Sequence, residues 1–165
     1  MIVWILGLEA CGKTTLIHNM FPNMKEIKKR IYKSDNWVID LDYGRYFGKK
    51  EKLRESIRDL SKNNNFICEH VFYPNVPLIY QFKDDEQILI HLVINPSIAL
   101  KRYIKRGGSM RRSNPNIQEF IDESASHYNI FERTKRLNLA KCYKINVNDI
   151  TKEKLKDKVC NIIGL

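Results

Sequence analysis

The segment that most constrains this chain lies near its start, where two glycines, a lysine and a threonine stand at a fixed spacing. Gly7 is followed by four residues and then by Gly12-Lys13-Thr14, directly after the apolar run Ile2–Leu6. Glycines at these points let backbone N–H groups approach an anion, and the lysine places a positive charge beside it. The buried-strand run before the loop and the helical pattern after it supply the context that such a loop requires. The pattern therefore predicts a phosphate-binding loop, and it disfavours the alternative of a glycine turn that binds nothing.

The whole loop is expected to contact a nucleoside triphosphate. Lys13 is predicted to lie on the β and γ phosphates, and the Thr14 hydroxyl is predicted to ligate Mg²⁺. The start of the following helix adds a partial positive charge. ATP and Mg²⁺ are thus the expected cofactors, with the choice between ATP and GTP left open. The predicted nucleotide-binding residues are Gly7, Leu8, Glu9, Ala10, Cys11, Gly12, Lys13, Thr14 and Thr15.

Composition limits the domain organisation and suggests the kind of partner. A chain of 165 residues, 43% of them hydrophobic, is expected to form one domain over residues 1–165. Four widely spaced cysteines without a Cys-x-x-Cys pair favour reduced thiols and a cytoplasmic protein, in a host cytoplasm if the source is viral. The short first apolar run predicts neither a signal peptide nor a membrane span. The oligomeric state is left open.

The formal net charge of +10 favours polyanionic partners, although abundant lysine in the source genome would also produce it. One basic cluster has no acid among its residues and is expected to bind phosphates. It consists of Lys101, Arg102, Lys105, Arg106, Arg111 and Arg112.

Strand-like and helix-like patterns alternate along the chain, which predicts an α/β fold with a five-stranded parallel sheet. The spacing of Met24, Ile27 and Ile31 is helical, so the segment 23–33 is expected to be a helix. Strands are predicted at 2–6, 37–42, 66–72, 88–94 and 142–147. The other helices are predicted at 15–21, 49–62, 97–106, 115–136 and 151–163.

Acidic residues come late in two of the predicted strands. Asp40 and Asp42 end the strand 37–42, and Glu69 lies near the end of the strand 66–72. Ligands bind outside the carboxyl ends of strands in open parallel sheets, so these acids are candidates for metal binding and proton transfer. Asp42 is the predicted base or acceptor-orienting residue, and Asp40 is the alternative candidate for this role. Glu69 is predicted to lie near the metal, where Thr14 is also expected.

The segment 95–108, with arginines four residues apart at Arg102 and Arg106 before Gly107-Gly108, resembles the nucleotide and nucleoside kinases of the thymidylate kinase type. That resemblance implies a phosphate-binding-loop kinase fold with an arginine-rich lid, here at about 105–116, and a long helix containing Tyr128. Thymidylate kinases typically have an Asp-Arg pair where this chain has Glu69-His70. The segment Asp42-Tyr43-Gly44-Arg45 resembles the Asp-x-x-Arg of polynucleotide kinases.

Other uses of a phosphate-binding loop fit less well. A GTPase needs Asn-Lys-x-Asp after its fourth apolar strand, where this chain has Asn95-Pro96-Ser97-Ile98, and an oligomeric ATPase usually needs a longer chain. A kinase is therefore expected, with Lys13, Asp42, Glu69 and Arg106 as catalytic residues. The predicted acceptor-binding residues are Arg45, Arg102, Arg111 and Arg112.

The basic surface favours an acceptor hydroxyl on a nucleotide unit carried in nucleic acid. Short, basic viral enzymes of the thymidylate-kinase-like group phosphorylate 5-hydroxymethyluracil in DNA, and the resemblance makes this the most specific hypothesis. The alternatives are a (deoxy)nucleoside monophosphate kinase of thymidylate kinase type and a non-kinase ATPase or switch protein.

Overall fold

The computed structural model describes residues 1–41, 50–69, 78–107 and 115–165, and the side chains of the second helix from residue 54 onward. The strands in these ranges are β1 (Ile2–Gly7), β2 (Lys25–Lys28), β3 (Ile31–Ser34), β4 (Trp37–Asp40), β5 (Asn65–Cys68), β6 (Gln87–Val93) and β7 (Lys141–Asn146). The helices are α1 (Lys13–Met20), α2 (Lys50–Ser61), α3 (Pro96–Lys105), α4 (Ile117–Arg136) and α5 (Lys152–Ile163), with a 3-10 helix at Leu78–Phe82.

The described strands form one sheet in the order β2-β3-β4-β5-β1-β6-β7. From β4 to β7 every neighbouring pair is parallel, whereas β2, β3 and β4 pair as antiparallel hairpins. From β1 the chain crosses to the edge strand β2 and returns through β3, β4 and β5, and it then passes to β6 and β7 on the other side of β1. Beside β1 the strand order therefore reverses, which is the point at which open α/β sheets bind ligands.

The expected helix at 23–33 is wrong, and so is the count of five strands. The five predicted parallel strands are present, but residues 25–34 form the additional antiparallel pair β2 and β3. Both tight connections use a residue with positive φ, Arg30 at 56° and Asp35 at 50°. The turn residues Asp35-Asn36 and the β-branched Ile27 and Ile31 favour a hairpin, so the helical spacing of three apolar residues was coincidental.

Apolar side chains on both faces of β1 hold the sheet between two layers. Every residue of β1 is buried, as expected for a central strand covered on both sides. On one face Ile5 packs in a cluster with Ile17 of α1 and Val159 of α5. On the other face Trp4 packs in a cluster with Ile57 of α2. The Trp4 indole also donates a 2.7 Å hydrogen bond to Gln87 Oε1, so this buried polar group is paired.

Two further expectations can be compared with the described residues. No disulfide joins the four cysteines, all of which lie in the described part of the chain. Among the described helices, none has the length and apolar character needed to cross a membrane.

Candidate phosphate-binding site

The predicted loop connects the carboxyl end of β1 to the first residue of α1. Gly12 precedes the helix with φ of 101°, a left-handed conformation that favours glycine, and Ala10 has φ of 61°. The Gly12 carbonyl accepts the first helical hydrogen bond from Leu16 N at 2.9 Å. The first N–H groups of α1 are therefore left for another acceptor at the edge of the sheet.

Gly7 is required by close packing rather than by its backbone angles. A Cβ at this position would lie 2.9 Å from the Leu92 carbonyl oxygen and 2.7 Å from Cys11 Sγ. Leu92 belongs to β6, so Gly7 allows the beginning of the loop to lie tightly against the neighbouring strand. The two glycines of the motif thus have different physical roles.

Lys13 folds back over the loop. Its Nζ donates hydrogen bonds to the Gly7 carbonyl at 2.6 Å and to the Leu8 carbonyl at 3.0 Å. These carbonyls hold the ammonium group at the mouth of the loop. A phosphate oxygen is a charged and therefore stronger acceptor, so the same ammonium can turn to an incoming anion.

Thr14 and Glu69 meet across the crevice between β1 and β5. The Thr14 hydroxyl donates a 2.9 Å hydrogen bond to Glu69 Oε2. Burial raises the pKa of the Glu69 carboxyl, and the charge of Lys13 and the Thr14 hydrogen bond oppose that shift only in part. A divalent cation beside this carboxyl would favour its ionised form.

A hydroxyl and a carboxylate oxygen are ligands of the kind that Mg²⁺ accepts. Among the described residues there is no group of three or more His, Cys, Asp or Glu side chains that could hold a metal ion. Mg²⁺ does not need one, because it usually keeps several waters and takes one or two protein ligands plus substrate phosphates. Thr14 and Glu69 fit that requirement, although their metal-binding roles stay predictions.

The side chains of Asp40 and Glu69 lie on opposite faces of the sheet. Asp40 pairs with Cys68 across β4 and β5, and its residue is only 1% exposed. Cys68 packs in the cluster on the α2 side of the sheet, and side chains alternate along a strand. The Asp40 carboxyl is therefore on the α2 side, whereas Glu69 reaches Thr14 on the α1 side.

The predicted arginines are described only in part. Arg102 and Arg106 are exposed at the C-terminal end of α3, and the Arg106 guanidinium lies 5.3 Å from the centre of the Tyr103 ring. Their roles stay predictions. Asp42, Arg45, Arg111 and Arg112 lie outside the described residues, as do positions 108–114 of the predicted lid.

Three basic side chains near the loop were missed by sequence reasoning. The charges of Arg30 and His18 both lower the pKa of Glu69, against the larger effect of burial. His127 of α4 is close enough to Lys13 for the lysine charge to contribute to its lowered pKa. No local signal identifies Arg30, because its position near the loop depends on the hairpin that was predicted to be a helix.

Sequence comparisons give no family for this chain. No protein-family model matches it, and no curated protein does so.

Solved structures of low sequence identity do match over nearly the whole chain. Deoxyadenosine kinase from M. mycoides with bound dCTP is 14% identical, with a TM-score of 0.57 and 99% of each chain covered. Shikimate kinase from Bacteroides thetaiotaomicron is 18% identical, with a TM-score of 0.56 and coverage of 100% and 99%. A sugar kinase from a Janibacter species is 11% identical, with a TM-score of 0.62 and coverage of 99% and 94%. The chain thus shares the fold of these three kinases.

Proposed function

We propose that this protein is an ATP-dependent phosphotransferase that moves the γ-phosphoryl group of ATP to a hydroxyl of a nucleoside unit. The observation that carries the proposal is the hydrogen bond from Thr14 to Glu69 beside the Lys13 ammonium. A glycine-rich loop, a lysine, a hydroxyl and a carboxylate together supply what phosphoryl transfer needs, which is alignment and neutralisation of charge. The shared fold with three kinases supports the same reaction class.

Each residue of the site has a defined task in this mechanism. The loop N–H groups and Lys13 would bind the β and γ phosphates. Thr14 and Glu69 would hold Mg²⁺, and the ion would neutralise charge on the phosphate oxygens. The acceptor oxygen bonds to the γ-phosphorus as the bond to the β–γ bridging oxygen breaks, and ADP leaves. The acceptor proton passes to a carboxylate, for which we assign Asp42.

The acceptor is proposed to be a hydroxyl on a deoxynucleoside unit. One support is that a structural neighbour of this chain is a deoxyadenosine kinase. The other is the net charge of +10, which favours an acceptor that carries phosphates. Within this class, 5-hydroxymethyluracil in DNA is the most specific candidate. The alternative lies outside it and is a free (deoxy)nucleoside monophosphate, which would accept the phosphoryl group on a phosphate oxygen instead of a hydroxyl.

Transfer of label from γ-labelled ATP tests the proposal. The purified protein is incubated with Mg²⁺ and, separately, with deoxynucleosides, deoxynucleoside monophosphates, 5′-hydroxyl oligonucleotides, and DNA with or without hydroxymethylated uracil. Label on any of these acceptors is expected, and Lys13→Ala should reduce it at least about 100-fold. Label in free phosphate alone, with every acceptor present, would overturn the phosphotransferase assignment in favour of an ATPase.

A further inference from the structure

The antiparallel hairpin of β2 and β3 brings positive charge to the edge of the sheet where the phosphate-binding loop lies. β3 runs antiparallel to β4, and Ile31 is paired with Asp40, the last residue of β4. The connection Lys29-Arg30 therefore lies at the carboxyl end of β4, next to the carboxyl end of β5 and Glu69. Arg30 is close enough to Glu69 for its charge to act on that carboxyl.

Charge on the hairpin is strongly one-sided. Between residues 25 and 34 there are five basic residues and a single acid, Glu26. All five basic residues are exposed, namely Lys25, Lys28, Lys29, Arg30 and Lys33. The Glu26 carboxylate accepts a 2.6 Å hydrogen bond from the backbone N–H of Arg30, so the acid stabilises the turn. The result is a basic surface on a defined backbone.

The turn is also held in position from the other side. The Arg30 carbonyl accepts a 3.0 Å hydrogen bond from Leu41 N, immediately after β4. Arg30 has the left-handed backbone conformation that a tight turn requires. A surface that is already ordered loses less entropy on binding than a flexible tail does.

Two lysines of the hairpin face each other in an unfavourable arrangement. Lys25 and Lys33 are paired directly across β2 and β3, which puts both side chains on the same face. Like charges in such a pair destabilise a hairpin. A bound polyanion would remove the repulsion. Lysines on an edge strand also protect against aggregation, and this role would require no ligand.

We propose that the β2–β3 hairpin binds the phosphate backbone of a single nucleic acid strand that presents the acceptor to the site. The proposal rests on the proposed function for the chemistry of that acceptor. A four-residue strand is about 13 Å long, which is enough to span more than one phosphate of a polynucleotide. A free mononucleotide, in contrast, carries its phosphate at one point and would contact only the Arg30 end of the hairpin. The spread of the basic residues along both strands therefore favours a polynucleotide.

A nucleic acid strand bound along the hairpin, next to the Lys29-Arg30 turn, would also suit the proposed reaction. An enzyme that modifies one unit of a polymer must hold the neighbouring phosphates while that unit enters the site, usually with its base unstacked. Backbone contacts give position and affinity without reading sequence. We therefore expect the hairpin to set affinity and salt dependence, and the site to set acceptor choice.

Binding of a fluorescent single-stranded oligodeoxynucleotide tests the proposal, measured by anisotropy over a range of salt concentrations without ATP. The test variant replaces Lys25, Lys28, Lys29 and Lys33 with glutamine. The matched control, called the amino-edge variant, removes the same charge from the end of the sheet where the parallel strands begin, away from the phosphate-binding loop. It replaces four exposed lysines with glutamine, namely Lys62, Lys83, Lys135 and Lys141. A third variant replaces the four hairpin lysines with arginine. Thermal unfolding and Mg²⁺-ATP binding are measured for all of them.

The hairpin variant should bind the strand at least about tenfold more weakly at low salt, and the slope of log affinity against log salt should fall by up to roughly 3. The amino-edge variant and the arginine variant should bind nearly as the wild type does. Equal weakening in the two glutamine variants, unchanged binding in the hairpin variant, or no binding by the wild type would overturn the proposal.

Single substitutions, Lys29→Gln and Lys33→Gln, test the same point if the quadruple variant unfolds. Each should lower the salt slope by roughly 0.7, and an unchanged slope in both would overturn the proposal. The outcome is separate from that of the phosphotransferase assignment. If the hairpin variant alone bound the oligonucleotide more weakly, the hairpin proposal would be supported even if no acceptor were labelled. If an acceptor were labelled, the phosphotransferase assignment would be supported even if the hairpin variant bound normally.

Discussion

At the scale of single residues, Gly7 is the position where the loop is most restricted by its neighbours. Gly7→Ala would force its new Cβ against the Leu92 carbonyl oxygen and Cys11 Sγ. We expect the free energy of unfolding to fall by about 1–3 kcal/mol, because backbone atoms of β6 cannot move aside cheaply. Urea denaturation measures this change.

Gly164→Ala provides the control for that substitution. Gly164 has positive φ, but an added Cβ would meet nothing within 4 Å. Its cost should be the backbone strain alone, about 1 kcal/mol. If Gly7→Ala cost no more than Gly164→Ala, the close approach of the loop to β6 would not be what restricts Gly7.

Glu69 gives a prediction in which stability and activity change in opposite directions. Burial raises its pKa, so the folded protein binds the proton more tightly than the unfolded chain does. Stability without metal therefore falls as the pH rises from the ordinary carboxyl pKa through the raised value. Glu69→Gln should remove this loss, and its stability relative to the wild type should increase as the pH rises toward neutral.

The same substitution should impair the reaction. If Mg²⁺ binds beside Thr14 as proposed, loss of the carboxylate would remove one of its charged ligands, and kcat/KM should fall by about 10- to 100-fold. Chemical denaturation from acidic to neutral pH without metal, together with the kinase assay, measures both effects. A variant that was less stable at every pH and fully active would contradict the role assigned to Glu69.

At the scale of secondary-structure elements, β6 and α4 meet through two buried histidines. The rings of His91 and His127 lie 6.2 Å apart, centre to centre, and His91 also contacts Phe131. Among the described residues, His91 Nδ1 has no hydrogen-bond partner. Burial, aided by the Lys144 charge, lowers the pKa of His91 to about 4. Burial, aided by the charges of Lys13 and His91, lowers that of His127 to about 3.

These histidines should make the fold sensitive to acid. Below the ordinary histidine pKa of 6.5 the unfolded chain takes up protons that the folded chain excludes, so stability falls as the pH decreases toward the lowered values. The loss should be roughly 2 kcal/mol per histidine between pH 7 and pH 5. Glu123, with Oε1 3.8 Å from His127 Nε2, offsets part of the cost for a protonated His127.

His91→Leu tests this expectation by removing one of the two groups. The variant should lose less stability than the wild type between pH 7 and pH 5, as measured by urea denaturation at each pH. Ile90→Leu is the control, because it changes a buried side chain of the same strand without removing a titratable group. The explanation would fail if His91→Leu kept the full pH dependence of the wild type.

Element prediction succeeded where the signals are local. The helix predicted at 97–106 is present as α3, and its start is marked locally by Pro96 in the first turn and by the Asn95 side chain, which accepts a hydrogen bond from Ser97 N. The helix prediction for the segment 23–33 failed because three apolar residues have helical spacing by chance. β2 pairs with β3, and β3 pairs with β4, through tight local turns. Only the pairing of β4 with β5 joins these strands to the parallel sheet, and this long-range contact is not contained in a sequence pattern.

At the scale of the whole molecule, the strand order decides which predicted residues come together. The loop was predictable because its residues are consecutive and each has a local physical role. The contact of Thr14 with Glu69 depends on β1 and β5 being neighbours, and the separation of Asp40 from Glu69 depends on the register of β4 and β5. The influence of Arg30 on Glu69 required knowing that the chain forms a hairpin.

The central claim is that the loop after β1 binds the phosphates of a nucleoside triphosphate with Mg²⁺. Isothermal titration calorimetry with ATP, with and without Mg²⁺, measures this binding for the wild type, for Lys13→Ala and for the control Lys83→Ala. We predict Mg²⁺-dependent binding that Lys13→Ala weakens at least about tenfold and Lys83→Ala leaves unchanged. Absence of Mg²⁺-dependent binding, or equal binding by Lys13→Ala and the wild type, would contradict the claim.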